Sequence, residues 1–199
     1  MDRLRIYFED IQDGGDQSNF LSQFGTPDTQ GGICFNLVLK WLQLYCQNNG
    51  QLAPNRVFRE LIKQPDSIRS IAEAQSAYKK EQIIHRDDTF VIRYGLGGNM
   101  NKDEFLSPYD FVQVVSNFIQ NQHHTKMEIG LYFEEGGAHS IGIIVHNNRI
   151  YLYDPNVGVM SSDLNNMKEL LEKVPVIYGT IFPHMQIANG IITNIARQF

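Results

Sequence analysis

The chain has 199 residues, of which 42% are hydrophobic and 20% charged, so it can bury a core like an ordinary globular domain. Its formal net charge of −5 argues against nucleic acid or an anionic lipid surface as a partner, and two cysteines are too few for a disulfide framework. No apolar run approaches the roughly 18 residues that cross a bilayer, so we expect one domain over residues 1–199 that works in water without stable membrane insertion.

The first half of the chain has mainly helical patterns. Residues 1–30 are polar and glycine-rich, which predicts a loosely ordered leader. An apolar segment then runs from Cys34 to the stop signal Asn48-Asn49-Gly50, and its apolar circumference predicts the central helix of a core. The remaining elements predicted in this half are helices at 55–62 and 67–80, a short strand at 90–94, and a helix at about 107–120 capped by Ser107.

From residue 127 the hydrophobic period changes from helical to strand-like. The pattern predicts strands at 127–133, 139–145, 149–153, 176–181 and 186–192, with one helix at 164–173. A helical first half followed by an antiparallel sheet predicts an α+β fold.

Cys34 follows Gly31-Gly32-Ile33 and stands at the start of the predicted central helix. A helix N-terminus presents unpaired N–H groups and the positive end of the helix dipole, which favour a thiolate over a thiol. The paired glycines would let a substrate backbone approach the sulfur closely. Taken alone, Cys34 is equally consistent with a buried structural cysteine, which is our interpretation of Cys46.

His139 follows Gly136-Gly137-Ala138 and begins a predicted strand. Strand alternation places its side chain on the same face as Ile141 and Ile143. An imidazole among aliphatic side chains is unfavourable unless its nitrogens have partners. Since a lone histidine in such a place is more often a satisfied core residue, a functional role for His139 requires a partner.

Asp154 supplies that partner, because it ends the next predicted strand across the Asn147-Asn148 turn. Pairing about this turn sets residues near 142 opposite 153, so His139 and Asp154 lie at the same end of the hairpin. A carboxylate there can accept the Nδ1–H of His139 and support the imidazolium that forms during catalysis. Asp154-Pro155-Asn156 is also a common turn initiator, and both roles can hold together.

In combination, these three residues suit one mechanism. The Cys34 thiolate attacks the carbonyl carbon of an amide, and His139 protonates the leaving amine. Water then cleaves the thioester with His139 acting as the base.

Three short blocks of the chain resemble the YopT-like cysteine proteases, which are bacterial type III effectors and related toxins with a papain-like core. The blocks are Gly32-Ile33-Cys34 with Trp41 following, Ala138-His139-Ser140-Ile141-Gly142, and Leu152-Tyr153-Asp154-Pro155-Asn156-Val157-Gly158. The order Cys, His, Asp and the short gap between the last two agree with the family pattern, and the resemblance covers roughly residues 30–182.

This resemblance implies a thiol protease with Cys34 as the nucleophile, His139 as the base and Asp154 as the orienting acid. It implies a papain-like fold whose N-terminal helices, with the central helix starting at Cys34, pack on a C-terminal antiparallel sheet. It also implies a secreted virulence effector that acts in the host cytosol on a host signalling protein, such as a small GTPase or a kinase. No cofactor is implied, and we expect a monomer.

Two other functions stay open at this point. Deamidases, transglutaminases, deubiquitinases and acyltransferases use the same three residue types on related folds, because different acceptors can capture the thioester. A binding module in which Cys34 is structural is the non-enzymatic hypothesis.

The remaining features concern the oxyanion hole and metal binding. Ser140 stands where many family members have alanine. The candidate oxyanion donors are Gln30 and the backbone N–H of Cys34, with Gln23 as an alternative.

His123-His124 has no cysteine or carboxylate at the usual zinc spacing, so we predict no metal site.

Overall fold

The computed structural model of the chain describes residues 32–80, 86–97, 102–122, 125–180, 182 and 185–197. The predicted leader at 1–30, with Gln23 and Gln30, and the pair His123-His124 lie outside the described residues. The helices are α1 (Cys34–Gln47), α2 (Pro54–Ile62), α3 (Pro65–Lys80), α4 (Arg86–Arg93), α5 (Pro108–Gln122) and α6 (Met167–Thr180), the last preceded by a 3₁₀ turn at Leu164–Asn166. The strands are β1 (Leu96–Gly97), β2 (Lys102–Phe105), β3 (Lys126–Phe133), β4 (Ala138–His146), β5 (Arg149–Asp154), β6 (Gly158–Asp163), β7 (Ile187–Asn194) and β8 (Ala196–Arg197).

Six of the strands form one antiparallel sheet in the order β2-β7-β3-β4-β5-β6, and β1 pairs with β8. The β4–β5 pairing sets Gly142 opposite Tyr153, as the turn at Asn147-Asn148 predicts. Both turn residues have positive φ angles, of 48° and 59°, which asparagine adopts more readily than most residues. This hairpin brings the beginning of β4 and the end of β5 to the same end of the sheet.

The two faces of the sheet belong to two separate apolar clusters, because successive side chains of a strand point to opposite faces. Ile141 and Ile143 of β4 belong to the cluster that contains buried side chains of α5 and α6. Ile144 of β4 and Tyr153 of β5 belong to the other cluster, which contains buried side chains of α1 to α4. The predicted packing of the N-terminal helices on the sheet is therefore confirmed, and α5 and α6 cover its opposite face.

The helix α1 is the predicted central helix, and several of its side chains, including Trp41 and Val38, are fully buried. It packs across β4 at Gly142, where an added Cβ would lie 3.0 Å from both the Trp41 ring and the Val38 side chain. Real Cβ atoms rarely tolerate such contacts, so the missing side chain at Gly142 lets the helix come this close to the strand.

Two predicted strands are wrong, since both segments are helical. Residues 90–93 belong to α4, which begins with Asp87 and Asp88 in its first turn, where carboxylates favour a helix. Residues 176–180 belong to α6, which continues through Pro175. Tertiary packing outweighs local propensity in both cases, because each helix buries a set of apolar side chains.

Two strands of the large sheet, β2 and β6, lie in segments where the hydrophobic pattern predicts no strand. Both occupy the sheet edges, and their exposed or half-buried residues weaken the alternating pattern that marks a strand. No helix among the described residues has the length and apolarity needed to span a membrane.

We predict that Gly142→Ala lowers the free energy of unfolding by about 1–3 kcal/mol, because the added methyl group forces α1 and β4 apart. Urea unfolding monitored by circular dichroism measures the change. The matched control is Gly179→Ala in α6, where a Cβ meets nothing within 4 Å and stability should stay the same or rise by up to about 1 kcal/mol. Equal destabilisation by the two variants would contradict the proposed close packing.

Candidate functional site

Cys34 is the first residue of α1, and its Sγ atom lies among hydrogen-bond donors. The backbone N–H groups of Phe35 and Ser140 and the ring of His139 all donate to the sulfur. Gly32, two residues before Cys34, has a φ of 94°, a conformation that glycine adopts without strain. The first turn of α1 contains no acidic residue, so no like charge opposes a thiolate there.

His139 lies at the beginning of β4 and is buried, with 3% of its surface exposed. Its Nε2 lies 2.8 Å from Oδ1 of Asp154, the last residue of β5. The predicted contact is therefore present, but through the other ring nitrogen, since we expected Asp154 to accept from Nδ1. Because Asp154 occupies Nε2, Nδ1 is the nitrogen that remains for the hydrogen bond to Cys34.

The three side chains form a connected series in which each partner affects the next. Burial by itself would raise the pKa of Cys34, but the charge and hydrogen bond of His139 and the two backbone N–H groups lower it below its ordinary value. Burial would likewise lower the pKa of His139, but the charges of Asp154 and then Cys34 raise it well above its ordinary value. These opposite shifts favour a thiolate–imidazolium pair over a neutral thiol and imidazole.

Asp154 is held by three donors, two of them outside the pair with His139. The backbone N–H of Asn156 donates to Oδ1 at 2.8 Å, as expected of an aspartate that initiates a turn. The hydroxyl of Tyr178 donates to Oδ2, also at 2.8 Å. The carboxylate is only 1% exposed, so these bonds replace the water that it loses on burial.

Tyr178 is a residue of the site that the sequence prediction missed. Its ring centroid lies 5.7 Å from that of His139, and the rings of Phe133 and Phe182 each lie 5.5 Å from the Tyr178 ring. These aromatic rings exclude water from one side of the His139–Asp154 pair. Extending the predicted helix through Pro175 would have revealed Tyr178, which is buried one turn after Val174.

Cys34 and His139 line a cleft of about 440 Å³. Its other described walls come from α3, α4, β2, β3, β4 and β7. The backbone N–H of Cys34 stays a candidate oxyanion donor, whereas Gln30 lies outside the described residues and its predicted role is untested. Among the described residues, no group of three or more His, Cys, Asp or Glu side chains could hold a metal ion.

No family model matches the chain. The chain is 26% identical over 160 residues to a protein of Bradyrhizobium diazoefficiens named "Putative cysteine protease YopT-like blr2140". That alignment covers 72% of this chain and 56% of the relative, so the chain spans about half the length of the curated relative. The resemblance to YopT-like cysteine proteases is confirmed by this similarity.

A structural comparison confirms the predicted fold class. The chain matches the crystal structure of the Pseudomonas avirulence protein AvrPphB with a TM-score of 0.68 and 15% sequence identity. The match covers 88% of this chain and 99% of the other. The fold is therefore α+β and papain-like.

We predict that alkylation of Cys34 by iodoacetamide follows an apparent pKa below the free value of about 8.5, because His139 stabilises the thiolate. The rate is measured against pH in a Cys46→Ala background, so that only one cysteine of the chain reacts. His139→Ala should raise the apparent pKa. A thiol with ordinary reactivity, indifferent to His139, would contradict the thiolate–imidazolium pair.

Tyr178→Phe should lower the free energy of unfolding by about 1.5–3 kcal/mol, because a buried carboxylate loses a hydrogen-bond donor. Urea unfolding at neutral pH measures the loss. Tyr109→Phe removes the same hydroxyl from a side chain that is 92% exposed, and it should leave the unfolding midpoint unchanged. If both variants unfold at the same urea concentration as the parent, the hydroxyl of Tyr178 does not support Asp154.

Proposed function

We propose that this chain is a cysteine endopeptidase that cleaves a protein substrate through Cys34, His139 and Asp154. The observation that carries the proposal is the connected series of thiol, imidazole and buried carboxylate, with its thiol end in a cleft. The similarity to a relative named as a YopT-like cysteine protease supports the same chemistry. The three residues occur in the order that the resemblance to this family implies.

The reaction proceeds in two stages on the single thiol. Sγ of Cys34 attacks the scissile carbonyl carbon, and the C–N bond breaks as the imidazolium of His139 gives its proton to the leaving amine. A thioester then joins Cys34 to the acyl part of the substrate. His139, now neutral, takes a proton from water as the water attacks the thioester, which releases the acid and restores the thiolate–imidazolium pair.

Asp154 keeps His139 in the orientation that this cycle needs. Its hydrogen bond to Nε2 leaves Nδ1 directed at the sulfur, and its charge favours the imidazolium that must donate a proton. Since the pKa of Cys34 is lowered and that of His139 raised, the ionised pair exists above the first pKa and below the second. Hydrolysis should therefore rise with pH as the thiolate forms and fall again as His139 loses its proton.

We also propose that the substrate is a host signalling protein, such as a small GTPase or a kinase, and that the protease is a secreted virulence effector acting in the host cytosol. The resemblance to YopT-like proteases supports this proposal, as does the structural similarity to a protein named as an avirulence protein. We propose a single domain over residues 1–199 that acts as a monomer.

Intact-mass spectrometry of candidate host proteins incubated with the chain tests the reaction type. Proteolysis gives two fragments whose masses add up to the substrate plus one water. A gain of about 1 Da would instead indicate deamidation, and a crosslinked or acylated product would indicate transfer of the thioester to another acceptor. No change with any substrate, together with an unreactive Cys34, would favour the non-enzymatic binding module.

Asp154→Ala should lower kcat/KM by about 10²–10⁴-fold, because His139 loses the largest influence that favours its protonated form and its orientation. Cys34→Ala should abolish cleavage. Asp163→Ala is the matched control, since this carboxylate is exposed and its ion pair with Arg149 contributes little. Retention of full activity by Asp154→Ala would refute the assigned role of Asp154.

A further inference from the structure

The cleft contains a buried carboxyl group that the proposed reaction does not use, that of Glu128 on β3. Glu128 is 7% exposed, and its Oε1 accepts a hydrogen bond of 2.6 Å from the hydroxyl of Ser140. Its Oε2 accepts no hydrogen bond from the described residues, and none of their cationic groups lies within ion-pair distance of it. A buried carboxylate in proteins normally has a cationic partner, and the described residues supply none to Glu128.

Ser140 connects Glu128 to the nucleophile Cys34. Ser140 donates its backbone N–H to Sγ of Cys34 and its side-chain hydroxyl to Glu128. Strand alternation places Glu128 and Ser140 on the face of the sheet opposite to His139. A group that contacts Glu128 would therefore lie beside the reacting sulfur without displacing the contact between His139 and Asp154.

The carboxyl group faces open space because its neighbour on the same face of β3 is Gly130. A Cβ added at Gly130 would lie 3.9 Å from Oε1 of Glu128 and 3.7 Å from the hydroxyl of Tyr132. Gly130 lines the cleft together with Cys34. The volume of about 440 Å³ falls in the range of roughly 300–1,000 Å³ that is usual for ligand pockets.

The charges that surround Glu128 favour a cationic ligand. The cleft is lined among the described residues by three carboxylates and two lysines: Asp87, Asp88, Glu128, Lys79 and Lys102. Lys102 lies with its Nζ 2.7 Å from Asp88, so its charge is already compensated. Lys79 is exposed at the rim, where solvent screens its charge.

We propose that Glu128 forms a subsite for a cationic side chain, lysine or arginine, on a substrate residue next to the scissile bond. The subsite rests on the proposed function, because it is defined by its position beside the reacting sulfur. A bound cation would pair with Oε2 and so give the buried carboxylate the partner that it lacks within the described chain. A neutral side chain of the same length would leave the carboxylate uncompensated, so Glu128 selects for charge.

Recognition of the cation depends on pH. Burial raises the pKa of Glu128 to about 7, although the hydrogen bond from Ser140 opposes this shift. Among the charged groups around the carboxyl group, Asp87 raises its pKa further, whereas Lys102 and His139 lower it. The carboxyl group is therefore charged above about pH 7 and neutral below it. Selection for a cation is present above this pKa and is lost as the pH falls through it.

Two chloroacetamides of equal length test the subsite without the natural substrate. One has a 4-aminobutyl group on its amide nitrogen and the other an uncharged pentyl group, and the rate of Cys34 alkylation by each is measured by intact mass. Taking the ratio of the two rates cancels the ionisation of Cys34 and His139. We expect the cationic reagent to react at least about tenfold faster with the parent chain at pH 8, which corresponds to about 1.4 kcal/mol.

Three variants separate the role of Glu128 from a general charge effect. Glu128→Gln keeps the shape and the acceptor for Ser140, and it should bring the rate ratio close to one. Glu169→Gln removes the same charge from the exposed face of α6 and should keep the ratio of the parent chain. Gly130→Ala places a methyl group at ordinary contact distance from the carboxylate of Glu128. It should therefore reduce the rate ratio, although Glu128 and the ammonium group of the reagent keep their charges.

The outcomes distinguish this subsite from the proposed function. Rapid alkylation of Cys34 by both reagents at equal rates would overturn the subsite and leave the protease proposal standing, as would a preference that persists in Glu128→Gln. Slow alkylation by both reagents, typical of an ordinary thiol, would overturn the subsite and the protease proposal together. A parent ratio that falls toward one between pH 8 and pH 6 would support the subsite, and a constant ratio would contradict it.

Discussion

The close contact between α1 and β4 determines where the nucleophile lies relative to His139. Gly142 lets the Trp41 ring and the Val38 side chain lie against the strand backbone. This fixes the N-terminus of α1 at the end of the sheet where β4 begins and β5 ends. Cys34, His139 and Asp154 each stand near the end of one of these three elements, so this packing contact and the β4–β5 pairing together set their mutual distances.

The second constraint is electrostatic, since the site holds a buried imidazole between two groups that become anionic. Moving such charges out of water is unfavourable unless hydrogen bonds replace the lost hydration. The fold supplies these bonds from backbone N–H groups at the sulfur and from Asn156 and Tyr178 at the carboxylate. Among the described residues, Glu128 lies beside this network with a single hydrogen-bond donor, so its charge is incompletely compensated.

The sequence predicted the parts of the site that depend on local pattern. The sequence shows a cysteine at a helix start shortly after two glycines, a histidine at a strand start and an aspartate at a strand end, and the hairpin turn indicates that the last two meet. The choice of Nε2 over Nδ1 was not predictable, because it depends on how the ring of His139 lies between two separate elements.

Tyr178 was missed because a proline such as Pro175 normally ends a helix, whereas packing in the core stabilises this helix beyond it. Glu128 was overlooked because a single acidic residue in an alternating strand usually points to solvent, and its burial results from the helices packed on that face.

The hydrogen bonds that Cys34 accepts come from two distant parts of the chain, so its pKa is fully lowered only when both parts have folded together. Phe35 supplies its N–H as soon as α1 forms, whereas Ser140 and His139 arrive only when the β4–β5 hairpin has docked on that helix. A chain in which this hairpin is not docked therefore lacks the His139 and Ser140 contacts that lower the pKa of Cys34. The lowered pKa of Cys34 is thus a property of the assembled fold and not of α1 alone.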